Sequence, residues 1–221
     1  RGQLRLSAPL AFTPRYLAPL LARFAERHPQ LRVDVQADDR FVNLQEPRFD
    51  MALRMGRLDD SCLVARPITA NRHLLCASPD YLARHGVPQH PEELQAHDGL
   101  VYYNREPGGM LCLPVDGEPA SFRIRVRMRT DSGHQLLEGA RAGLGLAILP
   151  SFLAADALLA GELLPVLPGY SPDGGQVSVV YRKTQRTPRK ILVLGQFLEE
   201  EIGDPAPWDR ALIERGLLPP G

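Results

Sequence analysis

At 221 residues the chain can bury one sizeable core or two small ones. Its 26 basic and 26 acidic residues give a formal net charge of +0, which argues against a domain that lives on phosphate contacts. Hydrophobic residues make up 44%, yet no apolar run approaches the roughly 20 residues of a membrane span, and no signal peptide opens the chain.

In chain order, Gln3 to Ala8 alternates as a strand and Pro9 ends it. Thr13 and Pro14 open a helical pattern that runs to His28, with Tyr16, Leu17, Leu20, Leu21, Phe24 and Ala25 as its apolar stripe. Arg32 to Asp38 and Phe49 to Met55 read as the next two strands. Strand, helix, strand, strand is the opening of an open parallel sheet, and in such sheets ligands sit at the carboxyl ends of the strands. Those ends are Ser7-Ala8-Pro9, Asp38-Asp39 and Arg54-Met55-Gly56.

Leu63 to Ile68 is strand-like, and Arg72 to Ala77 begins a second region. Ser78-Pro79 caps a short helix to His85, and Pro91 to Leu94 supplies another turn. Gly99 to Tyr103, Leu111 to Val115 and Phe122 to Met128 follow as strands. The stretch Arg129 to Pro150 then continues as polar turn, helix, glycine turn and strand, completing a βαβ unit. The turn Thr130-Asp131-Ser132 can cap the helix, or its neighbouring N–H groups can hold a ligand oxygen. A helix from Phe152 to Ala160, a strand from Val177 to Arg182 and a helix from Pro188 to Ile202 complete the core pattern. The proline-rich segment after Gly203 reads as a partly mobile tail.

These elements predict an α/β chain of two Rossmann-like lobes, with a hinge and an inter-lobe cleft suited to a small ligand. Lobe I takes residues 1–70 and 183–204, lobe II takes 71–182, and 205–221 is the tail. Crossings are expected near Thr69-Ala70-Asn71 and Arg182-Lys183. Cys62, Cys76 and Cys112 form no CxxC or Cys/His cluster and read as buried free thiols of a reducing compartment, the cytoplasm. The histidines show no metal-binding spacing, so neither a metal nor a cofactor is expected. Gly143-Leu144-Gly145 follows a helix and lacks a third glycine, so it is a helix end and not a dinucleotide fingerprint. No GxSxG, P-loop or SxxK motif is present, and no catalytic residue is assigned.

Five segments in this order resemble the effector-binding domain of LysR-type transcriptional regulators. They are LRLSAPLAF (Leu4 to Phe12), LAPLLARFAERHP (Leu17 to Pro29), FDMALRMGRLDDSCLVAR (Phe49 to Arg66), NRHLLCASPDYLARHG (Asn71 to Gly86) and GARAGLGLAILPSFL (Gly139 to Leu153). The resemblance implies two periplasmic-binding-protein-like lobes (type II) with a small-molecule effector between them, and pairing into homodimers or homotetramers. It also implies that DNA is met only through an N-terminal winged helix-turn-helix, which nothing here matches; the start at Arg1-Gly2 without Met suits a fragment or processed product. Membranes are not expected among the partners. For the dimer, the resemblance implies that Leu17 to Arg27 of one copy faces a second-lobe helix of another.

By the same resemblance the effector meets Ser7, Ala8 and Pro9, then Arg54, Met55 and Gly56, and across the cleft Thr130, Asp131 and Ser132. Ser7 offers a hydroxyl or stabilises its turn, and the N–H groups near Phe12 and Thr13 can hold an anion. Arg54 either grips a carboxylate in a fork or points to solvent. Gly56 lets backbone approach a ligand. One ring of Tyr102 and Tyr103 faces the cleft, or both pack conventionally. Relatives tend to read Ser-Asn-Asp-Gly where this chain reads Thr130-Asp131-Ser132-Gly133. An ionised Asp131 beside a bound anion would repel it, so either Asp131 caps the helix and points away or the effector brings a donor. A free-standing solute-binding protein shares the two-lobe plan and is the alternative; an enzyme ranks third.

Overall fold

Strand β1 (Gly2–Ala8) forms because Leu4, Leu6 and Ala8 alternate with polar residues, and all three are essentially fully buried. The computed structural model describes residues 2–38, 48–57, 62–103, 107–184 and 186–220. After β1 the chain enters a π-helical turn, Thr13–Leu17, and then helix α1 (Ala18–Arg27). Leu17, Leu20, Leu21 and Phe24 form the buried stripe of this segment. Strand β2 (Leu31–Ala37) returns parallel to β1, and β3 (Met51–Gly56) adds on its other side, also parallel.

The chain divides into two compact units. Unit 1 is Arg1–Asn71 with Gly174–Pro207, and unit 2 is Arg72–Asp173 with Trp208–Gly221. Strand β4 (Leu63–Ala77) is continuous through the first boundary, where the sequence predicted two separate strands. Unit 2 continues with helix α2 (Pro79–His85), capped by Ser78, then β5 (Asp98–Tyr102), β6 (Met110–Val115), β7 (Glu118–Arg123) and β8 (Arg125–Thr130). Helix α3 (Gly133–Arg141), β9 (Leu146–Pro150), α4 (Ser151–Leu159) and the short β10 (Leu164–Pro165) follow. Strand β11 (Asp173–Arg182), helix α5 (Arg189–Ile202) and helix α6 (Pro207–Glu214) end the described chain.

In unit 1 the strand order is β2-β1-β3-β11, with β11 antiparallel to β3. The three opening strands are parallel, as the sequence predicts, and β11 makes the sheet mixed. Strand β11 pairs with β3 from Gln176 to Val180, so it stands in unit 1, and the return falls at Asp173/Gly174 instead of Arg182-Lys183. Helix α5 covers the face that carries Val177 and Val179, since a Cβ on Gly195 would lie 3.9 Å from Val179. Phe24 and Phe197 then join α1 to α5, with ring centroids 5.3 Å apart. Unit 2 has the order β4-β9-β5-β8, with β10 beside β4.

Two further readings are corrected. The run Phe122 to Met128 is two strands, because Ile124 leaves the β6–β7 hairpin and buries its side chain where Gly99 leaves room. A Cβ on Gly99 would lie 2.7 Å from the Ile124 side chain. The segment after Gly203 holds a helix: Pro207 sits at its first turn, and Trp208 and Leu212 are buried. Trp208 meets Phe152 of α4 edge-on at 6.3 Å. Cys76 alone of the three cysteines is buried, and burial pushes its thiol up to about 12; Cys62 and Cys112 are exposed. No helix among the described residues is long and apolar enough to cross a membrane.

Candidate functional site

The predicted residues fall into two groups, one in each unit. In unit 1, Ser7 pairs in register with Ala52 of β3, and Arg54 stands two residues beyond Ala52 on the same face. This places the Ser7 hydroxyl and the Arg54 guanidinium on one side of the sheet, toward the carboxyl ends of β1 and β3. Ser7 is 2% exposed, and no described residue hydrogen-bonds its hydroxyl. Arg54 is half-buried, and burial lowers its guanidinium from the usual value without discharging it.

Ala8 and Met55 point to the opposite face, that of Leu4, Leu6 and Leu53, so only their backbone stands with Ser7 and Arg54. Gly56 has φ +109°, a conformation other residues rarely adopt. What approaches it is the chain's own Gly175, where a Cβ would stand 2.6 Å from the Gly56 carbonyl carbon.

The helix start behaves differently from the sequence expectation. The Pro9 carbonyl accepts from Phe12 N (3.3 Å), Thr13 N (3.1 Å) and the Thr13 hydroxyl (2.7 Å). The N–H groups expected to hold an anion near Phe12 and Thr13 are thus already engaged, and Thr13 acts as a brace for the turn. Asp38 donates its N–H to the Ala8 carbonyl at 3.0 Å, while its neighbour Asp39 lies outside the described residues.

In unit 2, β5 and β8 run parallel and Tyr102 pairs with Thr130 at their shared carboxyl end. Thr130 is 5% exposed; its hydroxyl accepts the Ser132 N–H at 3.0 Å and donates to the Gln135 side-chain oxygen. Ser132 is the cap of α3, accepting the Gln135 N–H at 3.4 Å. Asp131 does not cap; its side chain is exposed. No described residue bonds the Gly133 or His134 N–H groups, so the first turn of α3 keeps donors for a ligand. Tyr102 is half-buried beside Thr130, whereas Tyr103 is exposed under the Arg129 guanidinium at 5.7 Å.

The sequence reading missed Gln135, Gly175 and Ser178. Gln135 was legible, since Ser132-Gly133-His134-Gln135 is a capping-box pattern. Gly175 and Ser178 depend on which strand β11 pairs with, which local pattern does not disclose. A groove of about 590 Å³ lies by Arg27, His28, Gln30, Arg189 and Lys190, at the amino end of β1, and contains none of the predicted site residues. Among the described residues no cluster of three metal-ligating side chains occurs.

The family profile described as the LysR substrate binding domain matches residues 1–203. The chain is similar to the HTH-type transcriptional regulator CrgA of Neisseria meningitidis, with 34% identity over 206 residues, 92% of this chain and 68% of CrgA. An HTH-type transcriptional regulator of Haemophilus influenzae is 36% identical over 191 residues, 86% of this chain and 66% of that protein. The chain thus spans about two thirds of the length of these relatives. Among solved structures, the CrgA regulatory domain aligns with a TM-score of 0.79 at 32% identity, covering 92% of this chain and 100% of that one. Full-length AphB of Vibrio cholerae aligns at 0.77 and 28% identity, over 90% of this chain and 68% of AphB. The predicted fold class, type II periplasmic-binding-protein-like, is that of these regulatory domains. The chain belongs to the LysR substrate binding domain family, the regulatory part of LysR-type transcriptional regulators.

Proposed function

We propose that this chain is the ligand-sensing domain of a bacterial LysR-type DNA-binding regulator. A small-molecule effector is held between the Ser7/Arg54 group and the Thr130/Ser132 group, in a cleft between the lobes. The observation that carries this reading is that both groups stand at carboxyl ends of strands, in a member of this family. Polar groups on two hinged lobes bind one ligand only when the lobes approach, so binding selects one arrangement. The domain pairs into homodimers or homotetramers, and the effector shifts their geometry and thereby the attached DNA-binding segments. DNA contacts belong to an N-terminal helix-turn-helix of the kind that names the relatives. The protein works in the cytoplasm, without a cofactor and without catalysis.

Thermal-shift screening against small organic acids, aromatics and amino acids tests this reading. A ligand at a hundred times its Kd adds about 2.7 kcal/mol to stability, a rise of roughly 5–10 °C in a domain of this size. No rise with any compound, in a folded sample, counts against it.

A further inference from the structure

The chain passes between the two units three times, at Asn71/Arg72, at Asp173/Gly174 and at Pro207/Trp208. The sequence pattern predicts two crossings; the third lies past residue 203, where the match to the family profile ends. Strand β4 ties the other two connections to itself. Thr69 and Asn71 stand two residues apart, on one side of the strand just before its crossing, and both are buried. The Asn71 side-chain amide donates to the Gly174 carbonyl at 2.9 Å, at the second crossing. The Thr69 hydroxyl donates to Asp204 Oδ1, also at 2.9 Å, in the connector that leads to the third. Beyond that connector α6 is anchored in unit 2: Trp208 meets Phe152, and Leu212 and Leu218 are at most 2% exposed.

A helix needed only to cover the apolar surface of unit 2 could follow a long, loose loop. This one does not. Four residues, Gly203 to Ala206, separate α5 from α6 and span at most about 14 Å. Pro205 and Pro207 each fix their own φ, so the connector has few ways to bend. Ala206 is 0% exposed, and Asp204 is held by Thr69. These constraints act on the connector and not on the face that α6 buries.

We propose that residues 203–220 are a strap across the hinge: the short, pinned connector and the docked α6 narrow the range of arrangements that the two units adopt. This rests on the reading of the units as hinged lobes. Rotation about the hinge must then bend three connections instead of two, or lift α6 from unit 2. Such a strap sets how much of the ensemble is competent to bind before any ligand arrives, and release of α6 widens that ensemble.

The chain carries its own labelling sites for the test. Cys62 in unit 1 and Cys112 in unit 2 are exposed, whereas Cys76 is buried. Nitroxides on Cys62 and Cys112 give the distribution of inter-unit distances by double electron–electron resonance. Emission of Trp208, the only tryptophan, reports whether α6 is docked. The informative variant inserts Gly-Ser-Gly-Ser between Ala206 and Pro207, adding up to about 14 Å of flexible reach while leaving both anchors intact. Its distance distribution should be broader than that of the wild-type chain, with Trp208 emission unchanged. Leu212→Ala, which weakens the docking of α6, should broaden it too. Asp204→Ala combined with Pro205→Gly frees the connector without lengthening it and should broaden the distribution less; it is read in place of the insertion should the insertion shift the emission red. A wild-type distribution in the insertion variant with α6 docked, or in the double variant, would overturn the strap and leave α6 a cover for unit 2. A broad wild-type distribution that no variant alters would also overturn the strap alone. A distribution equally narrow in every chain, Leu212→Ala included, would show the units rigidly joined and would overturn the hinged-lobe reading together with the strap.

Discussion

Helix α6 holds Trp208, the only tryptophan in the chain, so its emission reports on the docking of that helix and nothing else. Eight residues are too few for a helix to persist alone in water, so the order of α6 must come from its buried face. Leu212 is 0% exposed at the centre of that face. Leu212→Ala removes buried methyl groups and leaves a cavity, at a cost of about 2–5 kcal/mol. Against a typical total of about 5–15 kcal/mol, that is enough to loosen the segment at denaturant concentrations where the sheets persist. Fluorescence during urea unfolding, compared with far-ultraviolet circular dichroism, is the assay. Wild-type emission should be that of a buried indole and should change together with the circular dichroism. In Leu212→Ala the emission should shift red first. An exposed-indole spectrum in the wild-type chain, or a Leu212→Ala midpoint equal to wild type, would refute the docking argument and restore the mobile-tail reading.

Three other outcomes follow from local geometry. The Tyr81 hydroxyl accepts the Asp98 N–H at 2.8 Å and lies 3.1 Å from His97 Nδ1, which then acts as the acceptor of a neutral ring. Burial, with His85 nearby, holds the His97 pKa below its ordinary value, so its stabilising effect is complete above about pH 6.5 and is lost as pH falls through the lowered value. Melting temperature should therefore decline below pH 6.5, and His97→Gln should remove part of that slope; an identical slope would contradict the assignment. Gly175→Ala forces a side chain into φ +73° with a 2.6 Å approach to Gly56, and should destabilise unit 1 by at least about 1–3 kcal/mol in calorimetry. Ser132→Ala should cost about 1 kcal/mol by loss of the α3 cap, whereas Asp131→Ala should be nearly silent for stability.

Much of the architecture was legible because it is local. The alternation of Leu4, Leu6 and Ala8, the stripe from Leu17 to Phe24, and the Ser78-Pro79 cap each declare their element within a few residues. What escaped depends on partners distant in sequence. Strand β11 looks like any valine-rich strand, and only its pairing with β3 puts it in unit 1 and Ser178 beside Arg54. Proline content hid α6, although Pro207 at a first helical turn followed by Trp208 and Leu212 is a helix signal. In the candidate site, strand ends were identified from pattern and family resemblance, but the use of each N–H was not. The Pro9 carbonyl takes those of Phe12 and Thr13, a detail of a π-helical entry that propensity does not report.

The central claim is that groups on two lobes hold one ligand. The direct measurement is the affinity of whichever compound raises the melting temperature, taken by calorimetric titration for wild type, Arg54→Gln and Thr130→Val. The account predicts that both single variants, one from each unit, lose most of the binding of the same compound while staying folded. Full affinity in either variant would mean that its lobe does not touch the ligand, and the two-lobe clasp would be contradicted.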